Sequence, residues 1–124
     1  MKVFTQDNAV RLCREWARDW ATVAEGRPEM ASTAESIAKT AAQLESAILH
    51  DLPGLTAAGK RQFFETAIEW VSDLWMTAQY IGWDWAEETK KDRALMVAYL
   101  TDLADGVEPT IVYDVKPGQR LMVG

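Results

Sequence analysis

The chain has 124 residues, of which 48% are apolar and 26% charged, and its formal net charge is −6. This length and composition predict one globular domain, residues 1–124, rather than a disordered chain. The acidic balance disfavours nucleic acid and anionic membranes as direct ligands, because both are bound mainly through Lys and Arg. It favours a partner with a basic protein surface.

The compartment is predicted from three features. The single cysteine, Cys13, cannot form an internal disulfide, which is typical of a reducing environment. The first residues, MKVFTQDN, contain no apolar signal-peptide region. The longest aromatic stretch, residues 63–85, is interrupted by carboxylates and is therefore not a membrane span. We expect a cytoplasmic protein.

Two amphipathic helices are predicted in the first half of the chain, over about residues 6–25 and 32–50. In the first, apolar residues recur at steps of four and three, which keeps one face toward a core. They are Ala9, Cys13, Trp16, Trp20 and Val23. Gly26 ends that helix. Ser32 and Glu35 fit a capping box that starts the second, although its apolar pattern also allows an earlier start.

Two further helices are predicted over about residues 57–82 and 85–105. Thr56 is the expected cap of the third helix, which is apolar over more than half of its circumference and therefore the central helix. Its two apolar rows are Phe63, Ala67, Trp70, Leu74 and Ile81, and Phe64, Ile68, Val71, Trp75 and Ala78. Asp84 is the expected cap of the fourth helix, and Gly106 is its expected end.

The last residues change to the period of a β-strand. Alternation from Ile111 to Val115, the pair Pro117-Gly118 and apolar residues from 121 to 123 predict a hairpin over about 110–123. An isolated hairpin is marginal, so it should pack on the helices, recruit residues 2–4 or pair with a partner. The fold class is therefore mainly all-α: an up-down four-helix bundle with a short C-terminal β-hairpin.

An acidic row follows one face of the third helix at intervals of four residues: Glu65, Glu69 and Asp73. Like charges at this spacing cost a few tenths of a kcal/mol each, so an opposite charge should offset them. A basic row on the first helix could supply it across the helices; its members are Arg11, Arg14 and Arg18. The other explanation is a docking strip for a basic protein surface.

A second candidate feature is the corner after the third helix, where Gly82 either ends that helix or bends it into the fourth. We expect most tryptophans to fill the core, but Trp83 and Trp85 flank a carboxylate, and at least one of these rings should be partly exposed. The carboxylates of this corner would continue the acidic row. The predicted partner-binding residues are Trp83, Asp84, Trp85, Glu87, Glu88, Glu65, Glu69 and Asp73.

The sequence predicts no catalytic residue, metal site or cofactor. It contains no nucleophile elbow, phosphate loop or dinucleotide fingerprint. A di-iron carboxylate bundle needs Glu-x-x-His on two helices, whereas His50 is the single histidine. Cys13 lies on the apolar stripe of its helix, where a thiol is usually inert. We therefore do not expect an enzyme.

These observations favour a non-enzymatic protein-binding module: a small acidic inhibitor or adaptor that docks on a basic protein surface. Its likeness to the small acidic inhibitors of phages is an analogy only. One alternative is a small-molecule-binding bundle, with an aromatic pocket formed by Trp70, Trp75 and Tyr99. Another is a self-assembling structural protein, a homodimer for example, with the third helix as its contact face.

Overall fold

The structure is a computed structural model that describes residues 2–50 and 56–113. Within these ranges it is mainly helical, which confirms the predicted fold class. The elements in chain order are β1 (Lys2–Phe4), α1 (Gln6–Gly26), a 3₁₀ turn (Pro28–Met30), α2 (Ala31–Leu49), α3 (Ala57–Tyr80), α4 (Trp85–Glu88), α5 (Lys90–Ala104) and β2 (Ile111–Tyr113). Two compact units are formed, residues 6–50 and residues 2–5 with 56–113. The single domain and the up-down bundle stay predictions.

The α1–α2 unit (residues 6–50) is a helical hairpin. The side-chain amide of Gln6, at the start of α1, donates a hydrogen bond of 2.8 Å to the carbonyl of Ile48 near the end of α2. Arg14 and Glu45 form an ion pair between the same two helices. The apolar face of α1 is buried as its spacing predicts, and the buried members of that row are Ala9, Cys13, Trp16 and Trp20.

The start of α2 differs from the predicted capping box. Pro28 begins a 3₁₀ turn whose last residue, Met30, is the cap of α2 and makes no side-chain capping bond. The backbone N–H of Ala31 donates to the carbonyl of Pro28. The turn therefore satisfies a free N–H at this helix end through the backbone, and Ser32 lies inside the helix.

The α3–α5 unit (residues 2–5 and 56–113) begins its long helix where the sequence predicts. The hydroxyl of Thr56 accepts a hydrogen bond of 3.1 Å from the N–H of Gly59, which confirms this residue as the cap. The end of α3 is a Schellman motif at Gly82, which has a φ of +70°. The N–H of Trp83 donates to the carbonyl of Ala78 at 2.9 Å. Gly82 therefore ends α3 and does not merely bend it.

The predicted fourth helix, about 85–105, is two helices. α4 has four residues, and Asp84 makes no side-chain capping bond at its start. Thr89 is buried and donates its hydroxyl to the carbonyl of Trp85 at 2.6 Å, between α4 and α5. Such a bond back to the preceding turn competes with regular helix geometry. α5 ends at Ala104, and Gly106 follows its cap with a φ of +71°, which confirms the predicted stop.

The strand predicted at the C-terminal end is present as β2. It pairs antiparallel with β1, in the register Lys2 with Tyr113 and Phe4 with Ile111. Within the described residues, the strand that pairs with β2 is therefore residues 2–4, one of the three arrangements that the sequence allowed. Phe4 is buried and meets the ring of Tyr99 edge to face, with 5.7 Å between centroids. The predicted return strand near residues 120–123 lies outside the described residues.

Candidate functional site

The exposed face of α3 contains a continuous stripe, here named the α3 stripe. Its members, at steps of three and four residues, are Gln62, Glu65, Glu69, Asp73, Met76 and Tyr80, and all of them are exposed. At 3.6 residues per turn they span about 80° of the helix circumference and about 27 Å of its length. The stripe is thus narrow and long, acidic over its first part and apolar over its last, within a wider exposed face that also includes Thr66 and Gln79.

The opposite face of α3 is a single buried seam rather than two interleaved rows. Its members, again at steps of three and four, are Phe64, Ala67, Val71, Leu74 and Ala78. Trp70 and Trp75, which were expected in the core, are only half-buried beside this seam. The orientation of α3 is therefore fixed by a seam in which Phe64 is the one aromatic side chain, and the acidic row is left in solvent.

The carboxylates of the stripe differ in their electrostatic environment. Glu65 pairs with Arg61 at 3.1 Å, and the same guanidinium pairs with Asp105 at 2.8 Å. Glu69 and Asp73 are exposed and form no ion pair within residues 2–50 and 56–113. The two carboxylates nearest the apolar end of the stripe thus carry charges that no described cation offsets.

The described ion pair of the basic row of α1 is formed within the α1–α2 hairpin. Arg14 pairs with Glu45 of α2, and Arg11 and Arg18 are exposed. The acidic row likewise has its described ion pair inside its own unit, between Glu65 and Arg61. The ladder between the two rows stays a prediction.

Two residues that the sequence analysis did not select form the apolar end of the stripe. Met76 is 62% exposed and Tyr80 is 91% exposed. Both continue the three- and four-residue steps of the acidic row, so the spacing could have identified them. The sequence favoured the tryptophans as anchors because of their size.

The corner after α3, where the sequence predicts a partner-binding site at Trp83 and Trp85, is mostly a packed turn. The rings of Trp83 and Trp85 stack, with centroids 5.4 Å apart and planes at 20°. Trp85 is only 3% exposed and Trp83 is half-buried. Trp85 therefore serves the packing of this turn and offers no surface to a partner, which corrects its assignment as a contact residue.

A hydrogen bond and a cation–π contact hold this corner to the ends of the longer helices. The indole N–H of Trp75 donates to the carbonyl of Ala86 at 2.8 Å. The guanidinium of Arg93 lies 4.2 Å from the centroid of the Trp75 ring, a distance typical of a cation–π contact. A four-residue helix cannot be stable by itself, so these contacts fix the turn that carries the exposed carboxylates Asp84, Glu87 and Glu88.

The α1–α2 unit offers no activated thiol. Cys13 is 1% exposed, and burial, followed by the negative charge of Glu45, raises the pKa of its thiol from 9.0 to about 12. A thiol with this pKa stays protonated near neutral pH and is a poor nucleophile. His50 is exposed at the end of α2, where its backbone N–H donates to the carbonyl of Ser46.

A pocket of about 510 Å³ lies where the start of α3 meets the end of α5. Its lining residues are Ala57, Ala58, Lys60, Arg61, Leu103, Ala104, Asp105 and Gly106. None of these is aromatic, and the predicted walls of a ligand pocket lie elsewhere: Tyr99 is buried against Phe4, and Trp75 lies under Arg93. This pocket therefore gives no support to the predicted aromatic binding site.

Within residues 2–50 and 56–113, no group of three or more His, Cys, Asp or Glu side chains is placed to hold a metal ion. In the same ranges, no helix has the length and apolarity needed to cross a membrane. Comparisons with protein-family models, with curated proteins and with solved structures give no match to this chain.

Proposed function

We propose that this chain is a non-enzymatic protein-binding module, a small acidic inhibitor or adaptor that docks on a basic protein surface through the α3 stripe. The observation that carries the proposal is that four exposed side chains lie on one face of α3. Two are carboxylates without a described ion pair, Glu69 and Asp73, and two are apolar, Met76 and Tyr80. In this proposal the chain acts by covering a surface of its partner and performs no chemistry.

The charge of the stripe supports a basic partner. Carboxylates four residues apart on one helix repel each other by a few tenths of a kcal/mol, and a cation on a partner would relieve this cost. Exposed charges of this kind mainly accelerate association and select the partner, while they add little affinity. The carboxylates of the corner, Asp84, Glu87 and Glu88, extend the acidic character of the same unit.

The affinity in this proposal comes from the apolar end. Tyrosine is one of the residue types enriched among binding hot spots, because its ring buries a large area at small entropic cost and its hydroxyl can keep a hydrogen bond. Tyr80 is almost fully exposed in the free chain, so a partner could bury nearly all of its ring. We therefore assign the role of aromatic anchor to Tyr80, where the sequence suggested Trp83 and Trp85.

Three immobilised versions of the chain test the proposal. The first is the wild type, the second carries Glu69→Lys with Asp73→Lys, and the third carries Glu25→Lys with Glu35→Lys, two exposed carboxylates of the α1–α2 unit. The two double variants change the net charge equally. A partner captured by the wild type is purified, and its affinity for each version is measured against salt concentration.

We expect the stripe variant to lose at least about tenfold in affinity and the control variant to lose little, because only the first places cations opposite a basic surface. We also expect the wild-type affinity to fall as salt rises. Equal losses in the two variants would mean that net charge alone is responsible, and the stripe would then have no role.

A further inference from the structure

The stripe has the spacing of a helix-packing seam although it faces solvent. From Glu69 to Tyr80 its members follow steps of four, three and four residues, the intervals at which a helix presents side chains to a neighbouring helix. The buried face of α3 uses the same intervals, through Phe64, Val71 and Ala78 among others. α3 therefore carries two seams, of which only one is covered in the described structure.

Building on the proposed function, we propose that the occupant of the stripe is an amphipathic helix of the partner protein. This helix is basic along the part that faces Glu69 and Asp73 and apolar along the part that faces Met76 and Tyr80. The stripe, about 80° wide and about 27 Å long, matches one helix laid along another, at the near-parallel angle of coiled-coil packing.

A second copy of this chain is disfavoured as the occupant. If two α3 helices pack antiparallel about the middle of the stripe, Glu69 of one copy faces Asp73 of the other. If they pack parallel, each carboxylate faces its own counterpart. Like charges meet at the centre of the contact in both orientations, which opposes association. The partner helix must therefore supply cations that this stripe does not contain.

The size of the contact sets the expected affinity. One helix lying along about 27 Å of another buries an area at the low end of specific interfaces, a range typical of transient complexes. The buried ring of Tyr80 supplies most of the favourable free energy, since exposed ion pairs add little affinity. We therefore expect dissociation constants in the micromolar range for an isolated helix.

The test uses the full chain and synthetic helical peptides of about three heptads. In the matching peptide, the seam positions of one half are Lys or Arg and those of the other half are Leu. One control peptide has the same composition with basic and apolar seam positions interleaved. Another is the matching peptide with a central proline, which breaks the helix. Binding is measured by fluorescence anisotropy at low salt.

We expect the matching peptide to bind in the micromolar range and both controls to bind at least about tenfold more weakly. Tyr80→Ala should lower the affinity for the matching peptide by about tenfold or more. Because Tyr80 is 91% exposed, its replacement leaves the core intact, and circular dichroism checks this.

Two outcomes separate this inference from the proposed function. Equal binding of the matching, interleaved and proline peptides, or no binding of any of them, overturns the helical occupant. If Glu69→Lys with Asp73→Lys still lowers the affinity for a captured basic partner, docking through the stripe stands without a partner helix. If that double variant lowers neither the affinity for the partner nor the affinity for the peptide, both proposals fail together.

Discussion

The α1–α2 unit and the α3–α5 unit differ in how many large apolar side chains they expose to solvent. Among the described residues, six large apolar side chains are exposed, and only Leu49 belongs to the α1–α2 unit. The α3–α5 unit exposes the other five: Val3, Met76, Tyr80, Val107 and Val112. Tyr80, at 91% exposure, contributes little to the core, and its place beside Met76 is what our proposal uses.

The two units also differ in how they use their tryptophans. Trp16 and Trp20 of α1 are almost completely buried, so they contribute to the core. In the α3–α5 unit, Trp75 and Trp83 are half-buried and hold a short turn against longer helices. The tryptophans of the first unit are thus buried, whereas those of the second range from buried, at Trp85, to half-buried.

The largest expected effect tests this division directly. Trp16→Ala should lower the free energy of unfolding by about 3–5 kcal/mol, because it opens a cavity in the core. Tyr80→Ala should change it by about 0.5 kcal/mol or less. Urea unfolding, followed by circular dichroism, measures both. If Tyr80→Ala destabilises the chain nearly as much as Trp16→Ala, the tyrosine is a structural residue and the comparison between the units breaks down.

A smaller effect is expected at the glycines that end α1 and α3. Gly82→Ala should cost about 1–2 kcal/mol, because a Cβ is strained at a φ of +70°. Gly26→Ala should instead stabilise by about 0.5–1 kcal/mol, because Gly26 has no positive φ and a Cβ there meets no atom within 4 Å. Thermal unfolding gives both signs, and a neutral Gly82→Ala would mean that the corner tolerates another geometry.

A further effect, of about the size expected at Gly82, depends on pH and belongs to the α1–α2 unit. The pKa of the Cys13 thiol is raised by burial from 9.0 to about 12, so the stability linked to the neutral thiol is complete below pH 9 and is lost as the pH rises toward 12. Between about pH 8 and about pH 10, the wild type should lose about 1.3 kcal/mol relative to Cys13→Ala. Urea unfolding of both proteins at each pH cancels the titration of the other groups. A constant difference would contradict a buried, protonated thiol.

The sequence predicts those parts of the fold that depend on local chemistry. The cap at Thr56 and the glycine at Gly106 act within one turn of the chain, so their residue types and positions were sufficient. The buried face of α1 follows from its spacing for the same reason. Contacts of this range need no knowledge of tertiary structure.

The errors in the fold arise where a tertiary or backbone contact replaces a side-chain cap. Ser32 matches a capping box, but the 3₁₀ turn from Pro28 satisfies the helix start first. Asp84 has a favourable cap identity, yet its helix is held from outside by the indole of Trp75. The break between α4 and α5 at Thr89 has no signal in the sequence pattern.

The acidic part of the candidate site could be predicted from the sequence, and the burial of the aromatic residues could not. The acidic row was found from its four-residue spacing, and Glu69 and Asp73 are indeed exposed on one face of α3. The burial of Trp85 was not predictable, because it depends on a ring stack with Trp83 that forms only after folding. Tyr80, the anchor in our proposal, lies on the same face as the acidic row, and its spacing alone places it there.

The pairing of β1 with β2 has a consequence for the order of folding. Lys2 pairs with Tyr113, so the sheet joins residues that are separated by almost the whole described chain. The α1–α2 hairpin needs only residues 6–50 and can form while the chain is still being synthesised. The sheet must wait until residue 113 has emerged, and its high contact order predicts that it forms late and slowly. A fusion partner placed before Lys2 would therefore act on the last step of folding rather than on the first.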